Sequence, residues 1–308
     1  MGYQDIHRQI VDYEGYQFPN SQLWFRGPQP IDLQPQKYFV SLGAAQTFGC
    51  FCPQPYPKLL SDKLDFASLN LGYGGAGPFF YLKHDELWDS INNARFAIIQ
   101  VMSGRSESNS LFDSGGLEYL IGRSDGKQLS AENAYIQLLN DNYPLGNIPA
   151  ARRWTKKLYY FKANKPVQKI VTETRNNWVN NYKQLLTKIK VPKILFWFSK
   201  REPDYRERYS SLAKLFGEFP QLVNAEMVDE IKSLCDDYVE CLSDRGSPQL
   251  LIDRFTGEPT TIDLATDPER PDISGIWTHN TYYPSPEMQI DAANVLESAC
   301  RKYIPSAI

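Results

Sequence analysis

No stretch of this 308-residue chain approaches the ~20 consecutive apolar residues that a membrane-spanning helix needs. It also lacks an excess of either charge: 33 Lys and Arg stand against 36 Asp and Glu, a formal net charge of −3. Proteins that track a nucleic-acid backbone present a basic face, so nucleic acid is not an expected partner, and no membrane span is expected. A local basic pocket remains compatible with this balance. Met1 to Asn20 scatters Asp5, His7, Arg8, Asp12 and Glu14 where a secretory signal would be apolar, which makes the expected location cytoplasmic. Cys50, Cys52, Cys235, Cys241 and Cys300 form no pair of CxxC motifs, and their odd number reads as reduced thiols. His7, His84 and His279 are too scattered to suggest a metal site, and none is expected. There is no internal repeat.

Hydrophobic residues make up 42% of the chain and aromatics 13%, ample for a packed core. Residues 1–36 read as an N-terminal arm rich in Gln and Pro, with Trp24-Phe25-Arg26-Gly27-Pro28 its one dense cluster. Residues 37–308 read as a single α/β domain. Apolar strands are expected at Tyr38 to Leu42, Phe66 to Leu71, Phe96 to Met102, Lys193 to Phe198 and near Tyr238 to Leu242. Helices are expected from about Tyr56, over Pro78 to Asn93, over Pro166 to Ile189 and over Pro286 to Tyr303. The last would place Met288, Ala292, Val295, Leu296 and Ala299 on one face. Cys50-Phe51-Cys52 reads as two small hydrophobes beginning a helix, a nucleophilic thiol there being the lesser reading. Strands separated by helices imply a three-layer, doubly wound parallel sheet of flavodoxin-like topology. Residues 113 to about 165 read as an insertion covering the sheet's carboxyl edge, its rings (among them Tyr119, Tyr135 and Trp154) a possible acceptor platform.

The segment Phe39-Val40-Ser41-Leu42-Gly43-Ala44-Ala45-Gln46-Thr47-Phe48-Gly49 is a strand breaking into a glycine-flanked turn. It resembles the first motif of the SGNH or GDSL hydrolases, Gly-Asp-Ser-x-Thr-x-Gly, with Ala44 and Ala45 in place of the Asp and the nucleophilic Ser. Further blocks resemble the same family along most of residues 38–303. Leu69-Asn70-Leu71-Gly72-Tyr73-Gly74-Gly75 matches the strand whose exit lends an amide to the oxyanion hole. Ile99-Gln100-Val101-Met102-Ser103-Gly104 matches the third block, but Arg105-Ser106-Glu107-Ser108-Asn109 replaces its Gly-x-Asn-Asp. The terminal Asp-x-x-His-Pro reads here as Asn280-Thr281-Tyr282-Tyr283-Pro284. A methyl group cannot attack a carbonyl, and a Tyr with pKa ~10 is a poor base at neutral pH. The whole pattern more closely resembles a bacterial family of uncharacterised domain. The resemblance implies an SGNH-like fold and argues against the family's usual reaction.

In a doubly wound sheet, ligands sit beyond the carboxyl ends of the strands. Glycine turns can present backbone N–H groups there, and Arg adds bidentate recognition of an anion. The third strand and its exit also resemble an element of sulfotransferases, in which an Arg and a following Ser hold a 3′-phosphate. These features give the leading expectation: a sulfotransferase moving a sulfuryl group from phosphoadenosine phosphosulfate to a hydroxyl or amine of a small molecule or glycan. Gly43, Gln46, Thr47, Gly74, Gly75, Arg105, Ser108 and Ser110 would bind this donor, for which a coenzyme A ester is the alternative. Lys200, Arg201 and Tyr283 would face the acceptor, and His279, then Glu107, would serve as general base. The alternatives are an SGNH-like acyltransferase or atypical esterase, and a catalytically inactive ligand-binding protein.

Overall fold

The computed structural model describes residues 7–30, 33–142, 153–263 and 275–305. Its centre is a sheet of β1 (Tyr38–Gly43), β2 (Ala67–Gly72), β3 (Ala97–Gln100), β4 (Lys193–Ser199) and β5 (Asp237–Leu242). The spatial order is β2-β1-β3-β4-β5, with every pair parallel. This is the flavodoxin-like order, whose strand direction of growth reverses between β1 and β3.

Period-2 alternation sends two apolar sets to opposite faces of the sheet. Val40, Leu42, Leu69, Ile99, Leu195 and Trp197 belong to one buried cluster, and Phe39, Ile98, Ile194, Phe196 and Phe198 to another. The connecting and flanking helices are α1 (Ala45–Phe48), α2 (Tyr56–Leu64), α3 (Pro78–Lys83), α4 (Arg153–Lys188), α5 (Ala225–Lys232) and α6 (Pro286–Arg301). Trp178, Tyr182 and Leu185 of α4 and Met227 and Ile231 of α5 join the first cluster. Tyr56 and Leu60 of α2 and Met288, Ala292 and Leu296 of α6 join the second. Helix starts follow local chemistry: Ser285 accepts from the Met288 amide with Pro286 in the first turn of α6, and Asn224 caps α5 through the Met227 amide.

Several expected elements differ. The helix expected over residues 78–93 breaks into α3, a 3-10 turn at Asp85–Leu87 and a short helix at Trp88–Asn92. Helix α4 starts well before Pro166 and runs through it, although that residue lacks an N–H for the helical ladder. Val295 is exposed on α6, rotated away from the buried Met288, Ala292, Leu296 and Ala299. Cys50 and Cys52 are buried in the turn after α1, where Phe51 adopts a left-handed backbone, so they begin no helix.

Two additions lie against this core. The arm forms a small antiparallel pair, Tyr16–Gln17 with Trp24–Phe25, and sends Ile10, Val11 and Tyr13 into a cluster with Ala45, Phe48, Phe51 and Tyr283. Past β3, strands Phe112–Asp113, Tyr119–Gly122 and Gln128–Ser130 and the helix Ala131–Asn142 pack Leu120, Tyr135 and Leu138 against Val167 and Val171 of α4. No helix among the described residues is long and apolar enough to cross a membrane.

Candidate functional site

The switch between β1 and β3 places two turns side by side: the elbow Gly43-Ala44-Ala45 and the exit of β3. A one-turn helix such as α1 cannot hold itself, and side chains from elsewhere fix it. The Gly43 amide donates to the Tyr81 hydroxyl at 2.9 Å. Gln100 Oε1 accepts from the Ala44 amide at 3.0 Å and the Thr47 hydroxyl at 2.7 Å. A Cβ on Gly72 would strike the backbone of Phe48, so glycine at the end of β2 lets α1 lie across it. From the arm, Arg26 donates to the carbonyls of Gly49 at 2.7 Å, Cys52 at 2.8 Å and Pro53 at 2.8 Å, and to that of Phe48. Its guanidinium also lies over the rings of Tyr13 and Phe48. The aromatic-Arg-Gly-Pro cluster of the arm is therefore a clamp on the elbow.

Where a serine hydrolase would hold its nucleophile, this elbow is apolar. Ala45 is 4% exposed and shares a cluster with Ile10, Val11, Phe51 and Tyr283. Asn280 caps its own loop: Oδ1 accepts from the amides of Tyr282 at 3.2 Å and Tyr283 at 2.9 Å. Its Nδ2 donates to the Tyr283 carbonyl and to Gln249. His279 lies exposed on a two-residue strand paired with Leu250, and its one hydrogen bond among the described residues is to Thr278. The expected general base therefore points to solvent, apart from the elbow.

The exit of β3 carries the polar chemistry. Ser103 caps the 3-10 turn Gly104–Ser106, and the Ser106 hydroxyl donates to the Gly75 carbonyl at 2.8 Å, joining the exits of β2 and β3. The amides of Gly74 and Gly75 make no hydrogen bond among the described residues. Arg105 was expected to hold a phosphate. Instead its guanidinium is bound to the carboxylates of Glu118, at 2.7 Å, and Glu132, and donates to the Tyr282 hydroxyl at 2.7 Å. Burial alone would lower the Arg105 pKa, and Glu118, Tyr282 and Glu132 reverse that and raise it. The charge is fixed but already neutralised. Gln221 donates to the same Tyr282 hydroxyl at 3.0 Å, leaving its own Oε1 without a partner.

Glu107, two residues further on, is fully buried. Asn181 of α4 donates to its Oε2 at 2.6 Å, while Oε1 has no partner. Burial pushes its pKa up to about 8, only partly countered by the Asn181 hydrogen bond. A Cβ on Gly77 would lie 2.9 Å from the Ser106 Cβ and 3.3 Å from Oε1, so glycine is what lets the chain pass this close to that oxygen.

The other expected residues are largely committed to structure. Thr47 is buried, its hydroxyl within 2.7 Å of Gln100 and 3.2 Å of Tyr56. Ser108 donates to Asp113 at 3.0 Å, and Ser110 to Glu173 at 2.7 Å. Lys200 bonds Ser247 and the Thr281 carbonyl, while Arg201 donates to the carbonyls of Glu202, Glu218, Pro220 and Val223. Tyr283 is buried against Phe51. Gln46 is buried with its Oε1 unpartnered. These geometries take Arg105, Thr47, Ser108 and Ser110 from the expected donor site, and turn Lys200 and Arg201 into loop braces. Sequence reasoning missed Glu118, Glu132, Asn181 and Gln221, since each reaches the site from a separate element.

The fold and elbow define a doubly wound α/β protein with Ala44 and Ala45 at the turn that follows the first sheet strand. Its sequence belongs to the family described as "Domain of unknown function (DUF6473)", whose pattern matches residues 1–114 and 154–262. No curated protein matches the chain in sequence. Among solved structures, a protein from Lactobacillus plantarum superposes with a TM-score of 0.40 at 11% identity, over 89% of this chain and 100% of that one. A carbohydrate esterase family 2 enzyme with a carbohydrate-binding domain, from Corynascus thermopiles (Myceliophthora fergusii), gives 0.40 at 9% identity, over 89% and 68%. An acetyl xylan esterase from the rumen bacterium Butyrivibrio proteoclasticus gives 0.40 at 9%, over 91% and 66%.

Proposed function

We propose that this protein is an atypical acyl hydrolase or acyltransferase on an SGNH-like scaffold, working by direct displacement rather than through a serine ester. The observation that carries the proposal is Glu107: a buried carboxyl with its pKa pushed up to about 8, one oxygen held by Asn181 and the other unpartnered beside Gly77. Carboxyl groups raised in this way suit general acid–base work near neutral pH. Water or an acceptor hydroxyl attacks the acyl carbonyl and gives its proton to Glu107. The charge on the carbonyl oxygen is received by the amides of Gly74 and Gly75, and the departing alcohol takes the proton back.

Sulfuryl transfer from phosphoadenosine phosphosulfate, or acyl transfer from a coenzyme A ester, has less support, because Arg105 and Thr47 are engaged within the protein. The apolar packing around Ala45 favours a second reading, a binding protein without turnover. Hydrolysis of p-nitrophenyl acetate tests the proposal. Its rate should rise through about pH 8 as Glu107 ionises, and Glu107→Gln should lower it about 10²–10⁴-fold. Fluorophosphonate should label no serine. Stoichiometric serine labelling, or full activity in Glu107→Gln, would refute the mechanism; absence of turnover would leave the binding-protein reading.

A further inference from the structure

The central sheet ends in two outer strands, β2 and β5. On β2 the chain closes its own edge: Asn70 Oδ1 accepts from the Gly72 amide at 2.9 Å, and the arm strand Trp24–Phe25 packs alongside. On β5, six residues long and free of proline, nothing equivalent is found. The Asp236 amide donates to the Lys193 carbonyl of β4 at 2.8 Å, so alternation turns the N–H and C=O groups of Asp237, Val239 and Cys241 outward. Among the described residues nothing hydrogen-bonds to those groups. Such a row is a template for a further strand unless charge, a bulge or a covering element blocks it. Asp237 does not block it, because Lys302 and the Tyr303 hydroxyl draw its carboxylate onto α6. Glu240 is the one charge left on the strand.

The strand complements itself, which selects a second copy over an unrelated peptide. With a two-fold axis at Val239 the two strands run antiparallel and every outward group meets a partner. Val239 pairs with Val239 of the other copy, and Asp237 with Cys241. Tyr238 then lies opposite Glu240, so no like charges on the two strands face each other. Lys232 of α5, which also pairs with Asp229, holds its ammonium 5.9 Å from the centre of the Tyr238 ring and sets a cation beside the approaching Glu240. The start of each strand meets the end of the other. That brings Leu234 and Leu242, 40% and 45% exposed in the single chain, to the same ends of the pairing.

We propose that this protein forms a two-fold dimer by pairing β5 of two copies, joining their sheets into one. The pairing goes beyond the reaction proposed above and does not depend on it, since β4 separates the edge from β3, whose exit carries Glu107.

Sedimentation equilibrium from about 1 to about 200 µM measures the association. The wild type should pass from single chain to dimer across that range. Val239→Pro removes an N–H that faces away from β4, so the β4–β5 ladder keeps its bonds while the two-fold pairing loses two. It should weaken association about ten- to a hundredfold, with folding checked by urea unfolding. Hydrogen exchange of the wild type needs no variant. The amides of Asp237, Val239 and Cys241 should exchange slowly in concentrated protein and quickly in dilute, whereas those of Tyr238 and Glu240, bonded to β4, should be slow in both. A single-chain mass at every concentration would overturn the proposal and leave the edge to an extended segment of another protein. A dimer undiminished in folded Val239→Pro, or outward amides that exchange quickly at every concentration, would overturn it as well.

Discussion

Replacing Glu107 by Gln should change how stability depends on pH, in a direction the structure fixes. Burial raises the carboxyl pKa from 4.5 to about 8 in the folded protein. Between those values the folded state keeps a proton that the unfolded chain has released, so stability falls as pH rises. The contribution is fully present below about pH 4.5 and is lost as pH climbs through about 8. At about 1.4 kcal/mol per pKa unit, the difference is worth roughly 5 kcal/mol as an upper value. Gln occupies nearly the same volume and never ionises, so its stability relative to the wild type should improve from pH 5 to about pH 8 and then level off. Urea unfolding of both proteins at several pH values, followed by tryptophan fluorescence, measures the gap directly. Parallel profiles for the two proteins would mean that Glu107 ionises normally, and the acid–base role argued for it would fall.

Arg26→Ala should destabilise the protein by more than about 3 kcal/mol, because three buried carbonyls and the half-buried one of Pro53 lose a charged donor. Arg26→Lys should restore only part of this, since an ammonium cannot span the same carbonyls; equal melting temperatures for all three proteins would show that the clamp is idle. Gly72→Ala should cost about 1–3 kcal/mol by forcing α1 off β2, again read as a drop in melting temperature. Ala45→Ser should leave activity toward p-nitrophenyl acetate unchanged, because Asn280 and Tyr283 stand where an orienting carboxylate and base would be needed; a large gain would show an untapped base near the elbow.

The layered α/β order was legible in the residue pattern alone. Continuous apolar runs such as Phe39 to Leu42 and Ile194 to Phe198 can be buried only on both faces of a parallel sheet. Sequence also decided that the elbow is apolar at Ala45, since identity alone shows that this side chain has no hydroxyl. Glu107 was visible as a candidate, but not its environment: burial raises its pKa, and the hydrogen bond from Asn181, 74 positions away, only partly offsets that rise. For Arg105 the charge was legible in the sequence, but its partners were not. Strand exits collect cations in sequence because charged side chains tolerate loops, and nothing local distinguishes a free guanidinium from a paired one. Only the tertiary structure folded Glu118, Glu132 and Tyr282 onto it, turning an expected anion cradle into a cluster with residual negative charge. His279 failed for the same reason. Its place in the chain, just before Asn280, suggested the site, but pairing with Leu250 put its side chain on the exposed face of a small surface ladder. Side-chain direction in a two-residue strand is set by its pairing partner, which no local pattern specifies.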